Sequence, residues 1–188
     1  MRTHVSLAAA LAAIFLFAVE AQRSSAGAPA GGAFAYFLKL DGIPGDSTAE
    51  KHAGEFDVLS FSFGATGAGD SATGAGKAVG RTQIKEIVLT KRVGKASPKL
   101  FLSCASGQHI KSAVLTLEHP ATREQVAKYT LTDVRIHSFT QAGAAGKAPS
   151  EEISLSFGKI EIEFRGTDAK GGAAPTKAGW DLRTNKGS

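Results

Sequence analysis

A single cysteine and a handful of histidines are the residues of this chain best suited to nucleophilic or general-base chemistry. A thiol attacks as its thiolate, and forming the thiolate takes a neighbouring imidazole or cation. Cys104 falls within Ala96–Gly107, which reads as a short helix, on the face shared with Leu100. His109, the histidine nearest in sequence, lies beyond Gly107, so the expectation is a buried structural thiol without an activating partner. His4 aside, His52, His109, His119 and His137 are spread over turns and strand ends, and each is expected to be solvated rather than a base. Glu161 and Glu163 alternate with Ile160 and Ile162. They therefore point away from the core together, as two solvated charges more simply than as an acid–base pair.

Gly74-Ala75-Gly76-Lys77 invites a phosphate-loop reading, and the spacing refuses it. Ser71 stands where that motif has its first glycine, and Ala78 where it has the magnesium-binding Ser or Thr. His-Glu-x-x-His, Cys-x-x-Cys and Gly-x-Ser-x-Gly patterns are absent from the sequence. No catalytic, cofactor-binding or metal-ligating residue is assigned on these grounds, no cofactor is expected, and the chain reads as a non-enzyme.

The elements that carry these residues are mostly strands. Ala35–Leu40 is an aromatic-rich strand, closed by turn chemistry at Asp41-Gly42-Ile43-Pro44-Gly45. Glu55–Phe63 places Phe56 and Val58 on one face and Leu59, Phe61 and Phe63 on the other, so both faces carry apolar groups. Gly64–Gly80, built from small residues, reads as an extended hairpin loop. Arg81–Val93 is the next strand, with Ile87 and Leu89 opposite Ile84 and Val88. The helix follows, with Ser97 as its N-cap, Pro98 at the first helical position and Gly107 at its end. At two and a half turns it needs a packing partner.

Ile110–Glu118 alternates through Ala113, Leu115 and Leu117. In Gln125–Phe139 the apolar parity changes from Tyr129 and Leu131 to Val134 and Ile136. Ile153–Arg165 changes parity in the same way at Gly158-Lys159, which calls for a bulge there. Trp180, the only tryptophan, is expected to dock the tail on the body. Several strands and one helix predict a mainly β fold: a small antiparallel β-barrel of closed or nearly closed form, with the helix plugging one end.

The 188 residues suit one domain, and 43% hydrophobic content can furnish its core. With only Cys104, no intramolecular disulfide can brace it. Met1–His4 carries Arg2, and Val5–Val19 is nearly unbroken apolar sequence, too short to span a bilayer comfortably. This reads as a secretory signal peptide over residues 1–26, with cleavage after Ala21 or Ala26, and no stable membrane span remains afterwards. Residues 27–33 form a flexible linker and 34–188 the barrel domain. The formal charge of +5 falls to +4 without residues 1–26, a mild balance. The basic stretch Arg81–Lys99 lacks aromatic interleaving and reads as a solvated face, so no nucleic-acid partner is expected.

A series of motifs resembles the Hcp family, the haemolysin-coregulated tube proteins of type VI secretion systems. The stretch from Phe37 to Ser47 (FLKLDGIPGDS) is similar to the family's opening, and His52 with Glu55–Gly64 (EFDVLSFSFG) to its second strand. Lys95–Leu100 (KASPKL) resembles the start of its helix, and Glu152–Ile160 (EISLSFGKI) and Gly179–Leu182 (GWDL) its final strands. Phe63 stands where the family often has Trp, and Gly94 where it often has Asp. The resemblance spans roughly Phe34 to Lys186. It implies a β-barrel of two packed sheets with one helix, and a homo-hexameric ring that stacks into a tube. It further implies effector cargo in the lumen, ejection with the spike inside the sheath, and no catalysis. Gly64–Gly80 corresponds by resemblance to the loop that reaches the neighbouring ring. The signal peptide sets a second possibility beside this one: an exported Hcp-like binding or envelope module, bacterial and secreted, that acts without a type VI tube.

Overall fold

Alternating apolar residues organise the chain into strands that wrap around a single interior. The computed structural model describes residues 34–67, 82–119, 121–167 and 173–187. The expected signal peptide and linker, and residues 68–81 with the Gly74–Lys77 segment among them, lie outside the described residues. The elements are β1 (Ala35–Leu40), β2 (Phe56–Ser62), β3 (Ala65–Thr66), β4 (Gln83–Ile84), β5 (Ile87–Arg92), α1 (Ser97–Ser106), β6 (Ile110–Glu118), β7 (Gln125–Ala142), β8 (Ser150–Ser156), β9 (Lys159–Thr167), β10 (Ala173–Asp181) and β11 (Lys186–Gly187).

The strand order β7-β6-β1-β2-β5-β8 closes because β8 also pairs with β7, giving a six-stranded antiparallel barrel. β9, β10 and β11 continue outward from the first half of β7 as a flap. One strand, β7, thus serves both parts: residues 127–132 pair with β9, and residues 135–142 with β8. The parity changes anticipated in the sequence are the corner between them. On β7 the change falls at Asp133, whose φ is 63°. On the return strand it falls at Gly158, which separates β8 from β9 and donates its N–H to Thr132 O (2.9 Å) and Asp133 O (3.2 Å). A Cβ at Gly158 would lie 2.9 Å from that of Asp133, so glycine is required by the close approach of the two corners. The expected bulge is a full break that lets one strand leave the barrel.

Leu38, Phe56, Ile87, Leu89, Leu115, Leu131, Ile153 and Leu155 fill the interior. Burying each is worth roughly 1.5–3 kcal/mol. Two strand readings need correction. β2 shifts register against β5 between Val58 and Ser60. The bulge turns Phe61 back toward the core and leaves Leu59 half exposed, so β2 has one apolar face interrupted rather than two. The stretch read as one strand over Arg81–Val93 is two short ones, β4 closing a hairpin base with β3 and β5 joining the barrel.

α1 packs against β7, with Leu100 fully buried and Phe101 edge-on to Phe139 at 5.9 Å. Its cap differs from expectation. Ala96 is the N-cap, and Ser97 is already helical, its hydroxyl accepting from the N–H of Gly94 at 2.9 Å. The other end is as expected. Gly107 takes φ 64°, and N–H groups of Gly107 and Gln108 reach back to the carbonyls of Cys104 and Ser103. Cys104 is half-buried against the core rather than fully enclosed. Trp180 docks on the core as anticipated.

Candidate functional site

Two buried ionic clusters stand apart from this apolar frame. The first lies inside the barrel. Ile87 and Leu89 point inward from β5, and the next residue of that parity is Lys91; Ile153 and Leu155 do the same on β8, and Glu151 extends their row. Register sets Lys91 opposite Glu151, and Nζ donates to Oε1 at 2.5 Å with both side chains buried. Lys91 also donates to Arg92 O at 2.7 Å and lies over the Phe56 ring, 5.2 Å from its centre. Gln141 of β7 donates to the other Glu151 oxygen at 2.9 Å. Ser97, at the start of α1, reaches the same carboxylate. Burial pushes the Glu151 carboxyl up, but these donors and the Lys91 charge outweigh it and hold it below its ordinary range. The cluster ties β5, β7, β8 and α1 in one register. A basic stretch read as a solvated face therefore contains a fully buried lysine.

The second cluster is on the outside of the barrel, where the 41–55 loop folds over β1 and β6. The loop is zipped by Gly45 N–H to Gly54 O (2.7 Å) and Ser47 N–H to Glu55 O (2.8 Å). Its 3-10 turn, Glu50–His52, sets the His52 ring on Phe37 at 3.9 Å and 3°. Nδ1 lies 2.8 Å from Glu55 Oε2, and Nε2 lies 2.9 Å from Glu118 Oε1, the latter an ionic contact without good hydrogen-bond alignment. Burial pulls the His52 pKa down, yet the two carboxylates outweigh it and raise it above the ordinary value near 6.5. His52 is thus a buried imidazolium clasp, not the solvated residue expected.

A group with a raised pKa stabilises the fold fully below its unfolded value and loses that contribution as pH rises through its folded value. Replacing His52 by Gln is expected to cost about 1–3 kcal/mol near pH 6 and clearly less near pH 9. Thermal melts of both proteins at the two pH values check this; an equal loss at both would rule out a charged clasp.

The other histidines stay dispersed. His109 Nε2 meets Asp133 Oδ1 at 2.6 Å on the exposed corner, where Arg183 also approaches, and together they hold the Asp133 carboxyl low. His137 is exposed near Glu86, and His119 sits edge-on to Phe34. Glu161 and Glu163 face outward as expected. They join a ladder with Lys159, Lys177, Lys128 and Arg165, whose hydrogen bonds lower both carboxyls. Among the described residues, no three His, Cys, Asp or Glu side chains are grouped to hold a metal. The cation of each buried cluster is met by carboxylate, one for Lys91 and two for His52, and the chemistry of both is that of register and clasp. A charged residue continuing an inward apolar alternation on two strands was the signal that could have found Lys91 and Glu151.

Known proteins resemble the chain along this same frame. The family described as "Type VI secretion system effector, Hcp" matches residues 37–164. Protein hcp1 of Pseudomonas aeruginosa is 30% identical over 154 residues, covering 79% of this chain and 95% of its own length. Hcp1 from Salmonella typhimurium, at 32% identity, superposes with a TM-score of 0.69 over 83% of this chain and 99% of that one. A type VI secretion effector from Yersinia pestis does so at 27% identity with a TM-score of 0.62, over 78% and 98%.

Proposed function

The chain belongs to the Hcp family of type VI secretion, and from that premise we propose that it is a non-enzymatic ring subunit. In this reading residues 34–188 form the assembling domain, six copies close a ring, rings stack into a tube, and the lumen carries small effectors. The observation that carries it is the extent of the likeness, which takes in both the barrel and its flap, with the charged clusters spent on holding the fold. The chain as isolated from producing cells should give a hexamer in native mass spectrometry. A strict monomer at high concentration would count heavily against a tube role.

The apolar run Val5–Val19 behind Arg2 favours a second reading, export of an Hcp-like binding or envelope module that acts without a tube. Among the described residues no helix is long and apolar enough to cross a membrane. Secretion that survives loss of the type VI machinery, but stops when residues 1–26 are removed, would select this reading over the first.

A further inference from the structure

Both nitrogens of the His52 ring face carboxylate oxygens, Nδ1 toward Glu55 at 2.8 Å and Nε2 toward Glu118 at 2.9 Å. An ionised carboxylate only accepts, and a neutral imidazole has a single N–H to give. The imidazolium alone suits both sides, and its charge also lies flat on the Phe37 ring. A neutral ring would turn one nitrogen lone pair toward a carboxylate, in a place where His52 and Glu118 are buried and Glu55 half-buried. Among the described residues no other cation pairs with either carboxylate. On the same loop, Lys51 Nζ donates to the Arg123 carbonyl at 3.3 Å, and Glu50 is exposed. β1 carries Lys39, also exposed, and Asp57 on β2 accepts from the Ser47 hydroxyl. Lys128 of β7, opposite Thr116, pairs with Glu163 at 3.5 Å. The 119–124 turn adds His119, edge-on to Phe34, with Arg123 and Glu124 exposed.

The loop that bears His52 is held unequally along its length. Its root is fixed: Ile43 is buried in the core, Ser47 N–H donates to Glu55 O, and the Ser47 hydroxyl donates to Asp57. Beyond Ser47, the polar and ring contacts to β1 and β6 among the described residues all pass through His52. Gly54, at the far end, has φ 78° and open space around it, so a rotation there meets no obstacle. We infer that residues 48–54 are a proton-controlled latch on the outer wall of the barrel. It is closed while His52 is an imidazolium and lifts as one piece, with the strands beneath intact, when the ring gives up its proton. Histidine is the side chain whose charge changes near neutral pH. The two carboxylates place this change on the alkaline side of its ordinary value. Lifting exchanges one outer surface for another. The closed latch covers Phe37 and meets both carboxylates internally; the open one presents an aromatic ring beside a bare Glu118. The latch belongs to the single chain and stands with or without a ring.

Millisecond-pulse hydrogen–deuterium exchange in the full chain tests the latch, read by mass spectrometry and expressed as protection relative to the intrinsic rate at each pH. Peptides covering 48–55 contain the amides of Gly54 and Glu55, which donate to the carbonyls of Ser47 and His52. Their protection should fall about tenfold or more between pH 6 and pH 9, while peptides from β1 and β6 keep theirs. His52→Gln should show the low protection at both pH values, with His109, His119 and His137 still present to reveal any response of their own. Glu118→Gln leaves one carboxylate, which a neutral ring can satisfy, so this variant should stay protected at pH 9. The β1 and β6 peptides report in the same measurement that each variant is folded. Protection lost equally in the strands and the loop would mean global unfolding and overturn the latch. A pH response that survives His52→Gln would overturn it too, as would a Glu118→Gln chain that opens like the wild type.

Discussion

Replacing Lys91 by Met while Glu151 stays in place is expected to lower stability by roughly 3–5 kcal/mol, because a buried carboxylate is left without its cation. In a domain of this size that is a fall in melting temperature of about 10 °C or more. The Lys91→Met, Glu151→Leu double variant should recover most of the loss, since both desolvated charges go and the space between Leu89 and Ile153 stays apolar. Urea unfolding of the three proteins measures this; a double variant as unstable as the single one would deny that the unpaired charge is the cause. The pH dependence has a definite sign. The Glu151 carboxyl is held below its ordinary value in the fold, so its contribution is present above the unfolded pKa near 4.5 and is lost as pH falls through the folded one. The wild type should therefore lose its advantage over the double variant on acidification.

Gly45→Ala is the second large effect, expected at about 3 kcal/mol from overpacking. The new methyl would run into the Glu55 carbonyl and come within 2.7 Å of the Phe56 nitrogen, both main-chain atoms at the start of β2. Main chain already in a sheet ladder cannot step aside, so the 41–55 loop must lift instead. Lifting it draws His52 away from Phe37 and Glu118, and Ser47 from Asp57. Two readouts should move together in the variant: the melting temperature falls, and the His52 titration followed by NMR drops toward its ordinary value. A lowered melting temperature with an unshifted His52 titration would separate the glycine from the clasp.

Much of the barrel is legible in the sequence because alternation reports burial directly. β1 and β6 begin and end where the apolar pattern does. The parity change at Gly158 called for a bulge, because a strand cannot turn its apolar set over without an irregularity, and the structure makes that irregularity a full break. The bulge in β2 was not legible. Phe56, Val58, Leu59, Phe61 and Phe63 fit a strand apolar on both faces as well as one interrupted at Leu59, and only pairing with β5 decides between them. The clusters were hidden for a different reason. His52 and Lys91 are polar residues whose burial depends on carboxylates far off in the chain, Glu118 for one and Glu151 for the other. Composition and spacing treat such residues as solvated until their partners are brought to them. Ser97 shows the same limit at short range, since its hydroxyl serves Gly94 and Glu151 rather than the first turn of its own helix.

The order β7-β6-β1-β2-β5-β8 also fixes a sequence of events in time. β1 is the first of the described strands to leave the ribosome, yet its neighbour β6 begins at Ile110, and β5 waits for β8 at Ser150. Pairings between such distant segments carry the full entropy of loop closure before they return any contact, which places their formation among the slow steps of folding. Until β8 is made, a nascent chain cannot complete the ring of strands and stays open. The order of the strands thus sets how much chain must be made before the barrel can shut.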